Sequence, residues 1–295
     1  MKKITIGSRG SDLALWQANH IKRQLETLGA EVSITIIKTQ GDAIQHLSFD
    51  KMEGKGFFTK ELETALLDQS IDLAVHSHKD LETNFPEGLT IAAVSEREDP
   101  SDLLLIHKNA VDESQKWGLK QGAVVGTSSA RRKSQVMRYR PDVTIQDLRG
   151  NVPTRIQKLA DGGYDAILLA KAGIDRLKIN LDNFHAVVLD PRAFVPAPAQ
   201  GVLGLQIREN DVELAKLLSQ LNHTAVQQRI AVERKVLNLL QGGCQLPLGV
   251  YCPDEQNVYV SYGENWEDGA ILAHYEVEDL ENIAEIIVED LQNPE

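Results

Sequence analysis

The chain is short of cysteine, of positive charge and of long apolar runs, and each shortage removes a class of function. Its two cysteines, Cys244 and Cys252, stand in a spacing that matches neither paired zinc ligands nor a disulfide framework, so a reducing compartment is expected. The formal charge of -12 argues against a general nucleic-acid or anionic-membrane binder, either of which needs a basic surface. No stretch approaches the roughly 18 consecutive apolar residues of a membrane-spanning helix. The start, Met1 to Arg9, has the positive end of a signal peptide without the apolar run that follows one. A cytoplasmic protein is the expectation. What is present is ordinary: 295 residues with 42% hydrophobic content can bury a large core, and that length suggests two or three domains.

Charge is uneven along the chain. Gly126 to Lys158 holds eight Lys or Arg against two Asp, while Pro253 to Glu295 holds thirteen acids and no Lys or Arg. The acidic end reads as a solvated face. A basic island in an acidic protein suggests a local anion site.

Hydrophobic spacing gives the order of elements. Ile4 to Ser8 alternates as a strand, and Leu13, Trp16, Ile21, Leu25 and Leu28 recur at helical spacing behind Ser11 or Asp12 as N-cap. Ser33 to Thr39 reads as a strand, Lys60 to Leu67 as a helix with Leu62, Ala65 and Leu66 inward, and Leu73 to Ser77 as a strand ending in charged residues. This alternation predicts an α/β domain with a mainly parallel sheet. The ligand end of such a sheet lies where strands give way to loops, which is where Arg9, Lys79 and Asp80 fall.

Polar residues and Pro100 interrupt the pattern near Glu96, and a second α/β run follows. Its elements are strand Val124 to Gly126, helix Ser129 to Tyr139, strand Val143 to Leu148, helix Val152 to Leu159 and strand Ala166 to Ala170. The prolines of Phe194 to Gly201 favour an extended linker, after which Val202 to Ile207 returns to the first domain as a strand. Two crossings between two α/β domains predict a hinged cleft. Helices over Val212 to Leu221 and Ala225 to Leu240 lead to a small α+β part with strands at Val258 to Tyr262 and Ala270 to Val277. An amphipathic helix presenting Leu280, Ile283, Ile287 and Leu291 ends it. The expected division is 1–95 with 200–215, 96–199, and 216–295.

Three places carry candidate chemistry. Thr127-Ser128-Ser129 ends a strand and opens a helix bearing Arg131 and Arg132, and Leu148-Arg149-Gly150-Asn151 with Arg155 repeats the arrangement. Helix-start N–H groups, hydroxyls and guanidinium forks make an anion receptor for carboxylate or phosphate alike. Arg138 and Arg140 read instead as surface ion pairs. His76-Ser77-His78-Lys79-Asp80 sets two histidines on one strand face, a weak metal pattern without a third ligand, and Asp80 suits a cationic intermediate better. Gly54-Lys55-Gly56-Phe57-Phe58 lacks Walker spacing and reads as a mobile basic loop before a helix. Gln241-Gly242-Gly243-Cys244 ends a long helix. A lone cysteine is most often a small core hydrophobe, but flanking glycines and a helix C-terminus leave this one room for a bulky group.

These stretches, taken with Ser8-Arg9-Gly10-Ser11, Leu13-Ala14-Leu15-Trp16-Gln17-Ala18, Gly54 to Glu63, Arg97-Glu98-Asp99-Pro100, Tyr164 to Ala170 and Gly242 to Pro247, closely resemble the hydroxymethylbilane synthase, or porphobilinogen deaminase, family nearly end to end. The resemblance implies two periplasmic-binding-protein-like α/β domains around a hinged cleft and a small α+β C-terminal domain. It implies a dipyrromethane cofactor on Cys244 through a thioether. Four porphobilinogen molecules would be joined head to tail with loss of ammonia, and the linear tetrapyrrole released by water. Asp80 matches the catalytic carboxylate. Lys79, Thr127, Ser129, Arg131 and Arg132 match cofactor-side positions. Arg9, Ser11, Gln17, Arg149, Asn151 and Arg155 match substrate-side ones, and Lys51, Lys55 and Phe58 the active-site loop. The family also implies a monomer with no metal, whose product passes to uroporphyrinogen-III synthase.

Five departures stand out: His78 where the family has Met or Leu, Ala199 for Gly, Gln206 for Glu, an unusual Pro153, and Asn222 to Val226 without the usual Thr. None removes a charged residue assigned to the chemistry. Two rivals remain. A non-enzymatic solute-binding protein for a carboxylate ligand would need no covalent cofactor on a third domain. A phosphate-transfer enzyme would need a metal-binding acid set and a nucleotide loop, and neither is present.

Overall fold

The computed structural model describes residues 2–39, 59–242 and 245–293. These fall into two compact units, the first made of 2–39, 59–98 and 201–228, the second of 99–200, 229–242 and 245–293. The boundaries at 98/99 and 200/201 follow two passages of the chain, and the last falls inside a helix.

In the first unit β1 (Lys3–Ser8) leads through α1 (Asp12–Thr27) to β2 (Glu31–Ile36), and α2 (Lys60–Leu67) leads to β3 (Leu73–Ser77) and β4 (Leu89–Val94). The returning strand β10 (Leu203–Arg208) completes a sheet of order β2-β1-β3-β10-β4 and is followed by α6 (Val212–Leu218). β1 pairs in parallel with β2 and β3, whereas β10 runs antiparallel to β3 and β4. The sheet is therefore mixed, and the single reversed strand is the one contributed after the second passage. Ile4, Ile6, Leu73, Val75, Leu203, Leu205 and Ile207 form its core with Ala18, Ile21 and Leu25 of α1. On another face Leu62, Ala65 and Leu66 of α2 pack with Ile71 and Ala74, as their spacing predicts.

The inward stripe of α1 differs from the expected one. Gln17, Ala18, Ile21 and Leu25 are buried, whereas Leu28 caps the helix and is 37% exposed. The apolar pattern counted Leu28 because it is hydrophobic, but the helix ends one residue earlier. Ser11 is the N-cap, its hydroxyl accepting from Ala14 N at 3.4 Å.

The second unit repeats the strand order. β5 (Asp102–His107), β6 (Val124–Gly126), β7 (Thr144–Gln146), β8 (Ala166–Ala170) and β9 (Phe184–Val188) lie in the order β7-β6-β8-β5-β9. Here β6 is parallel to β7 and β8, and β5, the strand entered at the first passage, is antiparallel to β8 and β9. Helices α3 (Ala130–Tyr139), α4 (Val152–Ala160) and α5 (Lys171–Leu177) accompany them. The later chain adds α7 (Thr224–Leu239), an antiparallel sheet of β11 (Leu248–Tyr251), β12 (Asn257–Tyr262) and β13 (Ile271–Glu276), and α8 (Ile283–Gln292). Val236, Val250, Val258, Val260, Ile283 and Ile287 form the core of this part.

Residues 194–201, expected as an extended linker, are largely buried. Phe194, Val195, Ala199 and Gln200 are buried, and the segment ends in a turn with Ala199 at φ 61° and Gly201 at φ 90°. Glu233 of α7 fixes it, one carboxylate oxygen accepting from Ala199 N at 2.7 Å and the other from Cys252 N at 2.9 Å. Proline content signalled an extended path, but nothing local signalled the buried acid that receives its N–H.

Candidate active site

In the first unit the site grows from the ends of two neighbouring parallel strands. β1 ends at Ser8, putting Arg9 and Ser11 in the turn that starts α1, and β3 ends at Ser77, putting His78–Asp80 in a single 3-10 turn. These turns line an open recess of about 90 Å³, into which Arg9, Ser11, Gln17, His76, Ser77 and Asp80 face. Four predicted residues, Arg9, Ser11, Gln17 and Asp80, are thus brought together, with Lys79 adjacent in the turn. Gln17 is buried and donates to Ser77 Oγ at 2.8 Å, joining α1 to the end of β3. Asp80 is exposed, and among the described residues its carboxylate makes no hydrogen bond or ion pair.

Beneath the recess lies a buried polar chain that composition did not signal. Gln206 Nε2 donates to Glu63 Oε1 at 3.1 Å, which turns the Gln206 oxygen toward His76 Nε2 at 3.0 Å. The imidazole therefore carries its proton on Nε2. A β-bulge between Leu205 and Gln206 accompanies this chain on β10. Burial drives the His76 pKa down to about 4, against the opposing Gln206 hydrogen bond and with help from the charge of Arg9. Burial likewise pushes the Glu63 carboxyl up, and the Gln206 hydrogen bond opposes it. His76 and His78 do not share a strand face, since the strand ends between them. No group of three or more His, Cys, Asp or Glu among the described residues is arranged to hold a metal.

The second unit carries the anion turns at two adjacent parallel strand ends. Ser128 clamps them together: its hydroxyl donates to Leu148 O at 3.1 Å and accepts from Leu148 N at 3.0 Å. Thr127 is buried, and Ser129 caps α3 through Arg132 N. Asn151 caps α4, accepting from Thr154 N at 2.9 Å, with Pro153 in the first turn where its missing N–H costs nothing. Arg155 Nε donates to Gly150 O at 2.7 Å.

Arg131 and Arg132 depart from the picture of open surface forks. Both are buried on a polar helix, and both pair with Asp102, at 2.6 Å and 2.7 Å. Sequence reasoning missed Asp102; an acid placed directly before the apolar run Leu103 to Ile106, on a strand buried throughout, was the available signal. Burial alone would raise its pKa, but the two guanidiniums hold it far below the usual carboxylate range. Arg140 departs too. It is a buried anchor rather than a surface pair, bonding Asp142 and the carbonyls of Lys116, Leu119 and Lys120. Arg138 is exposed and donates to Ala270 O at 2.9 Å, which with Ala270 N to Ser134 O fastens α3 to the three-stranded sheet.

Lys51, Lys55, Phe58 and Cys244 lie outside the described residues. The approach to Cys244 is described as far as Gly242. Gln241, not a glycine, takes the left-handed position after α7, at φ 52°. Gly242 is where a side chain is excluded, because a Cβ there would stand 2.5 Å from Leu246 Cδ2 and 2.9 Å from Leu237 Cδ1. The other cysteine, Cys252, is sealed in the core of the C-terminal part.

The residues present suit a ligand with several carboxylates. Arg131 Nε is buried and, among the described residues, without an acceptor, an uncommon state for an N–H donor, and it lies beside hydroxyls and a helix start. Comparison with known proteins points the same way. Residues 4–216 match the family profile described as porphobilinogen deaminase, dipyromethane cofactor binding domain. The porphobilinogen deaminase of Nitratidesulfovibrio vulgaris (strain DP4) is 49% identical over 251 residues, covering 84% of this chain and 78% of that protein. That of Sulfurimonas denitrificans is 46% identical over 252 residues, covering 85% and 79%. Among solved structures, a periplasmic binding protein of Salmonella typhimurium with high arginine specificity is 12% identical with a TM-score of 0.43, covering 77% of this chain and 94% of that one. The chain belongs to the porphobilinogen deaminase family and carries that family's dipyrromethane-cofactor binding domain in residues 4–216.

Proposed function

We infer that the protein is a hydroxymethylbilane synthase, a transferase of tetrapyrrole and haem biosynthesis that condenses four porphobilinogen molecules head to tail with loss of ammonia. The observation that carries this reading, within the family so established, is the Asp80 carboxylate, without a partner among the described residues, at a recess shared with Arg9, Gln17 and Ser77. Each substrate brings an acetate and a propionate, and guanidinium groups are the natural partners for both.

When bound, the dipyrromethane supplies the free pyrrole α-carbon to which the first substrate unit is joined. Asp80 acts on the incoming substrate. As the C–N bond of the protonated aminomethyl group breaks and ammonia departs with the bonding pair, positive charge spreads over the methylene-pyrrolenine. A fixed carboxylate lowers the energy of that cation most where charge is greatest. Arg9, Ser11 and Gln17 bind and orient the substrate side, and Arg149, Asn151 and Arg155 do so at the second turn. Thr127, Ser129, Arg131 and Arg132, with Lys79, form the cofactor side of the site. Lys51, Lys55 and Phe58 form the covering loop. Cys244 is the attachment point; the sealed position of the alternative thiol, Cys252, supports this. The three-part division of the chain, a cytoplasmic monomer, and transfer of the product to uroporphyrinogen-III synthase complete the proposal.

Intact mass of untreated protein tests it. The chain is expected to be heavier than its sequence by two pyrrole units and to redden with an aldehyde reagent for pyrroles. Cys244→Ala is expected to lack both properties. The same added mass on that variant would remove Cys244 from the proposal, and a wild-type chain of bare mass would remove the cofactor.

A further inference from the structure

The turn between β7 and α4 has its successive carbonyl oxygens taken by side chains. Asp147 O accepts from the Tyr164 hydroxyl at 2.7 Å, Leu148 O from Ser128 Oγ at 3.1 Å, Arg149 O from Lys158 Nζ at 3.0 Å and Gly150 O from Arg155 Nε at 2.7 Å. The N–H groups that follow are disposed oppositely: among the described residues those of Gly150, Asn151 and Val152 donate to no acceptor. Gly150 allows the reversal, since it stands at φ 116° and a Cβ there would lie 2.7 Å from Thr154 Cγ2. A turn with its carbonyls bonded and its amides open offers a ligand the positive ends of its peptide dipoles.

Tyr164 ties this turn to the one at the end of β6. Its ring packs on that strand end, where a Cβ on Gly126 would stand 2.7 Å from Tyr164 Cδ1, while its hydroxyl reaches Asp147 O, just past β7. Burial, with a smaller contribution from the Asp147 charge, pushes the phenol above its ordinary pKa, so it stays a donor through neutral pH. Lys158 reaches back to Arg149 O from the last turn of α4. Neither residue belongs to the substrate or cofactor sides described above.

We propose that Tyr164 and Lys158 are positioning residues for substrate binding: by holding Asp147 O and Arg149 O they keep the amides of Gly150, Asn151 and Val152 turned to a substrate carboxylate. This rests on the reading of Arg149, Asn151 and Arg155 as the substrate side.

Steady-state kinetics and an anion titration test it together. Tyr164→Phe keeps the ring and deletes one donor. Its KM for porphobilinogen is expected to rise about fivefold, with kcat within about twofold of wild type and the two-pyrrole mass retained. Lys158→Met is expected to raise KM about threefold, and Lys158→Arg to restore it. Acetate titrated against nitrogen-15-labelled protein reads the turn by NMR without turnover. The amide signals of Gly150, Asn151 and Val152 are expected to shift, and Tyr164→Phe to need about fivefold more acetate for half the shift. An unchanged KM in an active enzyme, or an unchanged acetate response, overturns the role of Tyr164 whatever happens to the melting temperature. A fall in kcat alone, or loss of the cofactor mass, overturns it too. Lys158→Met with wild-type KM, or no rescue by Lys158→Arg, removes Lys158. A wild type that does not consume porphobilinogen sinks the function reading, and the acetate response then decides this inference by itself.

Discussion

Acidification from pH 7 to pH 5 should weaken the fold through His76. Its folded pKa, about 4, lies below the ordinary imidazole value of 6.5, so between those values the unfolded chain binds the proton and the folded chain does not. Stability from this group is complete above the unfolded value and is lost as pH falls toward the folded one. With those two values the loss between pH 7 and pH 5 is about 2 kcal/mol, most of the roughly 3 kcal/mol available from a shift of this size. Glu63 works in the opposite sense, since its raised carboxyl favours the folded state as pH falls. His76→Gln separates the two: it keeps an amide donor for Gln206 and removes the titration, while the acids contribute alike to both proteins. Urea unfolding of wild type and variant at the two pH values gives the difference by linear extrapolation. Wild type should lose about 2 kcal/mol more than the variant. Equal losses would refute the buried, neutral imidazole. Gln206→Glu provides the converse: a carboxylate facing His76 Nε2 should raise the imidazole pKa and shrink the acid penalty, read from the ring signals by NMR.

Asp80→Asn should leave the melting temperature unchanged, because the carboxylate is exposed and has no partner among the described residues, yet lower kcat by about a hundredfold or more as electrostatic stabilisation of the cation is lost; wild-type turnover would exclude the role. Arg140→Met strips donors from three carbonyls and Asp142, and should cost about 3 kcal/mol in urea unfolding with cofactor mass retained. A cost below about 1 kcal/mol would mean that water replaces the guanidinium. Ala199→Gly relieves a left-handed alanine, worth about 1 kcal/mol, but frees the unfolded chain and deletes a buried methyl, so stability should change by less than about 1 kcal/mol. A loss above about 2 kcal/mol would show that the methyl packs more tightly than its surroundings suggest.

Much of the fold was legible because the relevant signals are local. Helix α2 and strands β3, β6 and β8 fall on the expected residues, since apolar spacing and flanking caps or turns bound them within a few positions. What escaped has a common cause. β5 and β9 carry few turn signals, and β5 opens with an acid, Asp102, whose partners lie 29 and 30 residues away on α3. The reversed direction of β5 and β10 follows from the chain passing between units, not from any feature of their own residues. Spacing cannot report such facts.

The same limit explains the site. Arg9, Ser11, Gln17 and Asp80 could be predicted together because each sits where a parallel strand stops or in the helix that follows, a position fixed by secondary structure alone. The arginines at the second pair of turns lie where strand and helix spacing put them, but their pairing was not legible, since a guanidinium's availability depends on which acid it already holds. Asp102 and Leu168 O together take all three nitrogens of Arg132, while among the described residues Arg131 Nε has no acceptor. A count of basic residues overstates the charge offered to a ligand by the number of buried acids among them. In the Arg131–Arg132 turn that correction halves the charge, from two to one.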